Sequence, residues 1–358
     1  MRVALRAALL LLAAAAAAGA EPSAAAWKFV VSGDSRNCGD VVMPAIAAGA
    51  SAEGAAFYWH LGDFRALYDF DQDVLHDASR RNPRSVAGMT ISDYLRDAWD
   101  DFIQSQLAPF GQTPVHLAIG NHELVSPKTR ADLLVQFADW FDAPEIRAQR
   151  LRDDPKDHRM RTYYHWIRGG VDFVALDNAS NDQFDAAQMK WLEKVLDRAA
   201  GDPAITTVVA GMHAALPDSI AAGHSMNDWA QGEASGRRAY ALLLAAQARG
   251  KKVYVLASHS HFYMKGIFET AYWRAHGGVL PGWIVGTAGA VRYRLPADAG
   301  DAQEAKTDVY GYLAATVAAD GAIRFDFRPI EPQDVPADVV SRYGADLVRD
   351  CFEGNREK

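Results

Sequence analysis

Five short strings of residues in this chain carry side chains that commonly bind metal ions. They are, in chain order, Gly33-Asp34-Ser35-Arg36, Gly62-Asp63, Gly120-Asn121-His122-Glu123, Gly211-Met212-His213 and Ser258-His259-Ser260-His261. Their carboxylate, amide and imidazole groups suit iron, manganese or zinc better than calcium, which prefers oxygen ligands alone. Any one string has an ordinary explanation, such as a turn or a packed histidine, but five in this order favour a single metal site.

Each string follows a short apolar run that is typical of a buried β-strand. The runs are Trp27–Ser32, 56–61, 115–119, 206–210 and Lys252–Ala257. The candidate ligands are therefore predicted to lie at the ends of strands.

Helical patterns, with apolar side chains spaced three to four residues apart, separate these strands. They cover 94–107, 131–141 and 186–200, whereas 162–178 has the pattern of a β-hairpin with a Gly-Gly turn, and 282–293 and 310–327 supply further strands. Strands that alternate with helices early in the chain, followed by hairpins, indicate an α/β sandwich with mixed sheets.

The order of the five strings resembles that of the calcineurin-like metallophosphoesterases, in which GDxH, GDxx, GNHE, a lone His and GHxH follow one another. The resemblance extends over 27–330 and implies a sandwich of two mixed β-sheets flanked by helices. An insertion at about 64–112 is a candidate cap over the substrate, and 331–358 is an expected C-terminal tail. Two residues depart from the family pattern: Arg36 replaces a metal-binding His, and Ser258 replaces Gly.

The resemblance also implies two divalent or trivalent metal ions, which would be iron, manganese or zinc. It assigns Asp34 and His261 to the first ion, Asp63 to a position between the ions, and Asn121, His213 and His259 to the second ion. His122 is not a ligand in this pattern and lies on the leaving-group side, where a histidine can stabilise or protonate the departing oxygen. Related protein phosphatases orient this His with an Asp. Here Ala66 stands at that position, so the support is absent or comes from elsewhere.

Arg36 cannot replace the missing histidine, because a guanidinium stays protonated and has no lone pair for a cation. Asp34, Asp63 and His261 then remain for the first ion, and we predict that this ion is bound more weakly. Arg36 is suited instead to a bidentate grip on phosphate oxygens, which would make it a residue of both binding and catalysis. The alternative is that Arg36 forms an ion pair with a nearby carboxylate.

Weaker candidates lie outside the five strings. His224, in a polar loop, is a candidate for contact with the substrate. His60 is expected to be a packed residue of its strand, and Asp177-Asn178 either a turn or a support for a ligand.

The function implied by the resemblance is hydrolysis of a phosphate monoester or diester. A hydroxide held by the metal ions would attack phosphorus, since coordination lowers the pKa of water from about 15.7 towards about 7. The alternative is a non-catalytic protein that binds metal or a phosphate ligand on the same fold, which Arg36 and Ser258 favour. Retention of His122 and of all six candidate ligands argues against that alternative.

Residues 1–20 have the pattern of a secretory signal peptide, with Arg2 and Arg6 before an apolar run and Ala18-Gly19-Ala20 as the cleavage site. This pattern predicts a periplasmic or secreted protein, and the alternative is that the segment stays uncleaved as a membrane anchor. After cleavage no membrane span is expected, because no later stretch approaches about 20 apolar residues.

The formal charge of −8 becomes −10 without the two leader arginines. An acidic chain is a poor candidate for a nucleic-acid-binding surface, so the expected partner is a small phosphate ester. The oligomeric state stays open. Cys38 and Cys351 are the two cysteines of the chain, and they either form a disulfide or stay unpaired.

Overall fold

The computed structural model of the protein describes residues 26–76, 89–221 and 223–357. The leader expected at 1–20 lies outside these residues, as does part of the insertion expected at 64–112. No helix within the described ranges is long and apolar enough to cross a membrane.

The described strands form two mixed β-sheets. In chain order they are β1 (Trp27–Ser32), β2 (Tyr58–His60), β3 (Val115–Leu117), β4 (Tyr164–Arg168), β5 (Val171–Ala175), β6 (Thr207–Gly211), β7 (Lys252–Ala257), β8 (Tyr263–Lys265), β9 (Gly282–Val285), β10 (Glu304–Lys306), β11 (Tyr310–Val317) and β12 (Ile323–Ile330). One sheet has the order β12-β11-β1-β2-β3 and the other the order β10-β8-β9-β7-β6-β5-β4.

Helices flank the two sheets. They are α1 (Gly39–Ala52), α2 (Gln72–His76), α3 (Ile91–Phe102), α4 (Arg130–Gln136), α5 (Ala138–Phe141), α6 (Pro144–Asp153), α7 (Ala186–Gly201), α8 (Ala230–Ala248), α9 (Ala271–Ala275), α10 (Ala337–Tyr343) and α11 (Ala345–Glu353). Apolar residues of α7 and α8 pack on the seven-stranded sheet, and those of α1, α10 and α11 on the five-stranded sheet. Helices α3 to α6 contribute apolar residues to the core between the sheets.

The main core lies between the two sheets and follows the two-residue period of the strands. In β1, Phe29 and Val31 face this core, whereas Val30 packs with the helices on the outer side. Phe173 of β5 meets Phe29 edge to face across the sandwich, with ring centroids 5.1 Å apart. The predicted fold, an α/β sandwich of two mixed sheets flanked by helices, is confirmed.

Several elements differ from the sequence-based expectation. The helix expected at 94–107 ends as an α-helix at Phe102 and continues as a wider π-type turn over Ile103–Leu107. The helix expected at 131–141 is broken at Phe137, whose backbone leaves the helical region (φ −106°) while its ring packs against Phe64 and Trp99.

Helices α1 and α8 were not predicted, because neither shows a clear apolar stripe. Ten of the fourteen residues of α1 are buried, so it has little polar face. In α8, Gly232 and Gly236 approach other segments so closely that a Cβ would lie 2.4 Å from the Asp182 carbonyl oxygen and 2.4 Å from Pro217, respectively.

The expected C-terminal tail contains α10 and α11, which pack against α1. Cys351 of α11 forms a disulfide with Cys38, which directly precedes α1, and their Cα atoms are 5.9 Å apart. Of the two alternatives for the cysteines, the structure therefore has the disulfide.

Candidate metal centre

Loops that follow parallel strands build one end of the sandwich and carry all six candidate ligands. Strands β1, β2 and β3 run parallel in one sheet, and β6 and β7 run parallel in the other. Backbone hydrogen bonds join neighbouring loops: Asp34 N–H donates to the Gly62 carbonyl (2.9 Å), and Ser258 N–H donates to the His213 carbonyl (2.8 Å). The strand ends thereby bring distant parts of the sequence together.

Three of the candidate ligands have a backbone conformation that side chains rarely adopt. The φ angles are 60° at Asp34, 59° at Asp63 and 65° at His259, all in the left-handed region. Non-glycine residues pay a conformational cost there, and such strain is concentrated at functional sites. The tight turns direct these side chains into one small volume at the strand ends.

Two groups of candidate ligands share one carboxylate. Asp34, Asp63 and His261 form the first group, and Asp63, His213 and His259 form the second. The ligand atoms within each group lie within 4.8 Å of one another. The Asn121 amide oxygen is 3.1 Å from His213 Nε2 and so belongs with the second group.

One carboxylate oxygen in each of Asp34 and Asp63 lacks a partner. Asp34 Oδ1 and Asp63 Oδ2 are buried and accept no well-aligned hydrogen bond from a described residue, although His261 Nε2 lies 3.3 Å from the first and His122 Nε2 lies 3.6 Å from the second. A buried carboxylate oxygen without a partner is costly unless a cation is nearby. The donor set and these two oxygens fit a metal ion.

Hydrogen bonds at the far side of two histidines fix which ring nitrogen faces the centre. His213 Nδ1 lies 3.0 Å from the Leu61 carbonyl oxygen, and His261 Nδ1 lies 2.7 Å from that of Val291. Each Nδ1 carries a proton and donates it to that carbonyl, so Nε2 is the ring nitrogen that faces the centre. His213 Nε2 then points towards Asp63 and His259.

Histidines lower the pKa of both carboxylates of the centre. Burial alone would raise the pKa of Asp34, but His261 and His213 outweigh it. Burial likewise would raise the pKa of Asp63, and His122 and His213 outweigh it. The ionised form of both carboxylates is therefore favoured at the strand ends.

Glu123 supports the centre by accepting hydrogen bonds from the loops that carry the candidate ligands. The sequence did not indicate this role, although Glu123 is the last residue of the third string. Its carboxylate accepts the backbone N–H groups of Asp63 (2.8 Å), Phe64 (2.8 Å) and Gly120 (2.7 Å). Burial and the charge of Asp63 raise the pKa of Glu123 to about 8. Glu123 thus joins the loop that carries Asp63 to the loop that carries Asn121.

The guanidinium of Arg36 lies inside the centre and contacts mostly neutral groups. Its Nη1 is 2.5 Å from His122 Nε2 and 3.1 Å from the Tyr68 hydroxyl, and its Nη2 is 3.0 Å from His261 Nε2. Among the described residues, only Asp63 has a carboxylate within 4.0 Å of Arg36. Arg36 therefore pairs with the carboxylate of Asp63 only at this longer distance, and its closer contacts are with His122, His261 and Tyr68.

The ring of His122 is oriented by the backbone rather than by an acidic side chain. His122 Nδ1 lies 2.6 Å from the Ala66 carbonyl oxygen, so Ala66 supplies the support through its main chain. With its proton on Nδ1, His122 presents a lone pair on Nε2 and accepts from Arg36. Burial lowers the pKa of His122.

Three aromatic rings form a stack at the mouth of the centre. Tyr293 lies between His261 (ring centroids 3.9 Å apart) and His224 (4.9 Å). Tyr293 was not identified from the sequence, which predicted a strand over 282–293, whereas the strand ends at Val285 and Tyr293 lies in the irregular segment that follows. His224 also contacts His259 edge to face at 5.2 Å, so the structure places His224 beside the candidate metal ligands.

The remaining candidates support the loops. His60 is fully buried, with Nε2 3.0 Å from the Ser35 hydroxyl, as a packed strand residue should be. Asn178 exchanges two hydrogen bonds with the backbone of Ala214, next to His213. Ser258 donates from its hydroxyl to Asp34 Oδ2 at 2.6 Å, a contact that a glycine could not make.

Comparison with known proteins gives one family and several similar folds. The family model described as calcineurin-like phosphoesterase matches residues 28–263. No curated protein matches the chain.

Three solved structures are similar at low sequence identity. PhoD is 16% identical with a TM-score of 0.49, over 86% of this chain and 72% of that chain. GAP50, the anchor in the inner membrane complex of Plasmodium, is 10% identical with a TM-score of 0.48, over 85% and 84%. A Staphylococcus aureus protein described as a 5′-nucleotidase, in complex with alpha-ketoglutarate, is 12% identical with a TM-score of 0.47, over 91% and 58%.

Proposed function

Because the chain belongs to the calcineurin-like phosphoesterase family, we propose that it is a metal-dependent hydrolase of phosphate monoesters or diesters. The observation that carries the proposal is the pair of ligand groups that share the buried Asp63. A fold built only for stability has little reason to bury two ionised carboxylates, each with an oxygen that no described residue satisfies.

Asp63, Asn121, His213 and His259 are the residues that would hold an ion most directly. A divalent ion bound there would polarise the phosphate and lower the pKa of a coordinated water from about 15.7 towards about 7. The protein's own contribution is orientation: Glu123 fixes the Asp63 loop, and the Leu61 carbonyl holds His213 with its lone pair inward.

Arg36 is the residue that we assign to the substrate. No carboxylate is in hydrogen-bonding contact with Arg36, and its Nε, 4.0 Å from Asp63 Oδ2, has no hydrogen-bond partner among the described residues. A buried guanidinium without a carboxylate in direct contact can bind a phosphate dianion through two N–H groups. The Tyr68 and Tyr293 hydroxyls lie beside it and extend the polar surface.

His122 then acts through Arg36. A proton on Nδ1, held by the Ala66 carbonyl, leaves Nε2 without one, so in this arrangement His122 cannot protonate a leaving group. We assign His122 as a positioning residue that holds Arg36 towards the substrate. This replaces the leaving-group role that the family resemblance implied.

We propose export to the periplasm or the exterior, on the basis of the leader pattern. The disulfide between Cys38 and Cys351 supports an oxidising compartment, because such bonds are rare in reducing ones. The partner we propose is a small phosphate ester.

The second candidate function is a protein that binds a phosphate ligand without turnover. The contact between Arg36 and His261 favours it, because this contact alters the first ligand group of the family pattern.

The test is hydrolysis of p-nitrophenyl phosphate and of its bis ester by metal-stripped protein, before and after addition of manganese, zinc or iron. Turnover that returns with a metal supports the proposal, and the preferred ester identifies the bond that is cleaved. His213→Gln is the matched inactive control, since it removes one candidate ligand. Folded, metal-loaded protein that hydrolyses neither ester would instead favour the binding protein.

A further inference from the structure

The two ligand groups are not equivalent, because the guanidinium of Arg36 contacts a histidine in only one of them. Arg36 Nη2 is 3.0 Å from His261 Nε2, and Arg36 Nε is 4.0 Å from Asp63 Oδ2. The Arg36 side chain is 9% exposed, so water screens its charge poorly. In the second group only the shared Asp63 lies near Arg36, and the partners of His213 Nε2 are the other candidate ligands, Asn121, His259 and Asp63.

The ring nitrogen of His261 that could bind a metal ion already accepts a hydrogen bond. His261 Nδ1 donates to the Val291 carbonyl, so Nε2 is the only ring nitrogen with a lone pair. That lone pair accepts a hydrogen bond from Arg36 Nη2. A metal ion in the first group would need the same lone pair and would have to displace the guanidinium.

The second departure from the family pattern acts on the same group. Ser258 donates its hydroxyl to Asp34 Oδ2, which also accepts the backbone N–H of His259 at 2.7 Å. One oxygen of Asp34 is therefore fully occupied by hydrogen bonds. Arg36 and Ser258, the two residues that differ from the pattern, both engage residues of the first group.

The charges of the centre lead to the same conclusion. Two carboxylates, Asp34 and Asp63, face the ligand groups. Two divalent ions together with Arg36 would place five positive charges against two negative ones, in a buried site where repulsion is weakly screened. One divalent ion together with Arg36 leaves a net charge of about one positive unit, which is enough to attract an anionic ester.

We propose that this protein holds a single resident divalent ion, at Asp63, Asn121, His213 and His259, and that the guanidinium of Arg36 takes the place of the second ion. The inference rests on the proposed function only for the presence of an ion. Instead of the two metal ions expected from the family resemblance, the centre would hold one metal ion and the guanidinium of Arg36.

The experiment counts ions without using turnover. Metal-stripped protein is loaded with Mn²⁺, desalted, and analysed by elemental mass spectrometry and by electron paramagnetic resonance. We expect about one Mn²⁺ per wild-type chain, with the six-line spectrum of an isolated ion. In Arg36→His, which restores an imidazole and removes a charge, we expect about two ions and an exchange-coupled spectrum.

A matched pair of histidine variants separates the groups. His213→Gln and His261→Gln each remove one buried imidazole, and circular dichroism checks that both remain folded. We expect His213→Gln to lose the bound Mn²⁺ and His261→Gln to keep about one per chain. Equal losses in the two variants, or two ions or none per wild-type chain, would overturn the inference.

Turnover measured on the same samples distinguishes the two proposals. Two ions per chain with active protein would overturn the single-ion assignment and leave the phosphoesterase proposal intact. One ion per chain without hydrolysis of either ester would support the single-ion assignment and overturn the phosphoesterase proposal. If Arg36→His also holds only one ion, then Arg36 does not take the place of the second metal ion, and that part of the inference is overturned.

Discussion

Two buried arginines lie on neighbouring loops at the same end of the sandwich, and their surroundings differ in charge. Arg65, two residues after Asp63, is completely buried against carboxylates: Asp40 at 2.6 Å, Asp101 at 2.5 Å and Asp73 at 3.2 Å. Arg36 follows β1, and its close partners are two histidines and two tyrosines. Arg65 is held by carboxylates in direct contact, whereas Arg36 has a carboxylate only at 4.0 Å.

The carboxylates around Arg65 come from separate elements, so this arginine connects the structure beneath the centre. Asp40 lies in α1, Asp73 in α2 and Asp101 in α3. Burial and the neighbouring Asp40 raise the pKa of Asp73, as expected where several carboxylates share one cation. A buried arginine thus indicates function only when the charges around it leave its own charge unopposed.

The largest effect should come from Arg65→Met, which removes the cation from this cluster. Removing one partner of a buried ionic cluster costs about 3–5 kcal/mol of stability, because the remaining charges stay buried. Urea unfolding followed by circular dichroism measures the loss. Arg36→Met is the matched control, and it should lower the free energy of unfolding much less, since it breaks no ion pair in direct contact. Equal losses in both would end the distinction between the two arginines.

Arg36→Met should instead reduce catalysis. Loss of a preorganised charge that stabilises the transition state costs about 10²–10³-fold in rate. The measurement is kcat/KM for the better of the two p-nitrophenyl esters, at saturating metal. Arg36→Lys should recover only part of the loss, because an ammonium cannot reproduce the planar fork of N–H groups. Unchanged kcat/KM in Arg36→Met would exclude Arg36 from the reaction.

His165, like Arg65, is buried between carboxylates, but its positive charge can be removed by raising the pH. Its Nδ1 lies 2.8 Å from Asp172 and its Nε2 2.5 Å from Asp153. Burial alone would lower the pKa of His165, but these carboxylates outweigh it and raise the pKa to about 9. The folded protein therefore binds this proton more tightly than the unfolded chain does.

The stability from His165 should be fully present below pH 6.5 and lost as the pH rises through about 9. The loss is roughly 3 kcal/mol at most, at about 1.4 kcal/mol per pKa unit. Urea unfolding at pH 6 and pH 9.5 measures it in the wild type and in His165→Gln. The gap between the two proteins should shrink at the higher pH. A gap that stays constant would mean that His165 is not protonated in the folded state.

Local patterns predicted the parts of the fold in which sequence period and burial agree. The bounds of β1 and β7 and the hairpin of β4 and β5 follow from apolar runs and turn residues. Helix α1 was missed because it is buried on nearly all sides, and α8 because its glycines hide a helical pattern.

In the centre, residue types predicted which side chains come together but not how their charges are matched. Arg36 was recognised as unable to bind a metal, yet its contacts with His122 and His261 depend on residues 86 and 225 positions away. The carboxylates around Arg65 could not be predicted, because a lone aspartate in a sequence normally indicates a surface residue. Only the folded chain shows which charges are opposed.

The smallest effects should come from replacing one tyrosine beside each of the two arginines. Tyr343 donates its hydroxyl to Asp40 Oδ2 at 2.8 Å, beside Arg65, whereas the Tyr68 hydroxyl accepts from Arg36. Tyr343→Phe removes a buried hydrogen bond to a carboxylate and should lower the free energy of unfolding by about 1–2 kcal/mol, with kcat/KM unchanged. Tyr68 is 61% exposed, so Tyr68→Phe should leave stability unchanged and lower kcat/KM by a few fold, since Arg36 loses one of its supports. If both variants changed the same quantity, the two arginines would belong to one network rather than to a structural cluster and a separate reactive centre.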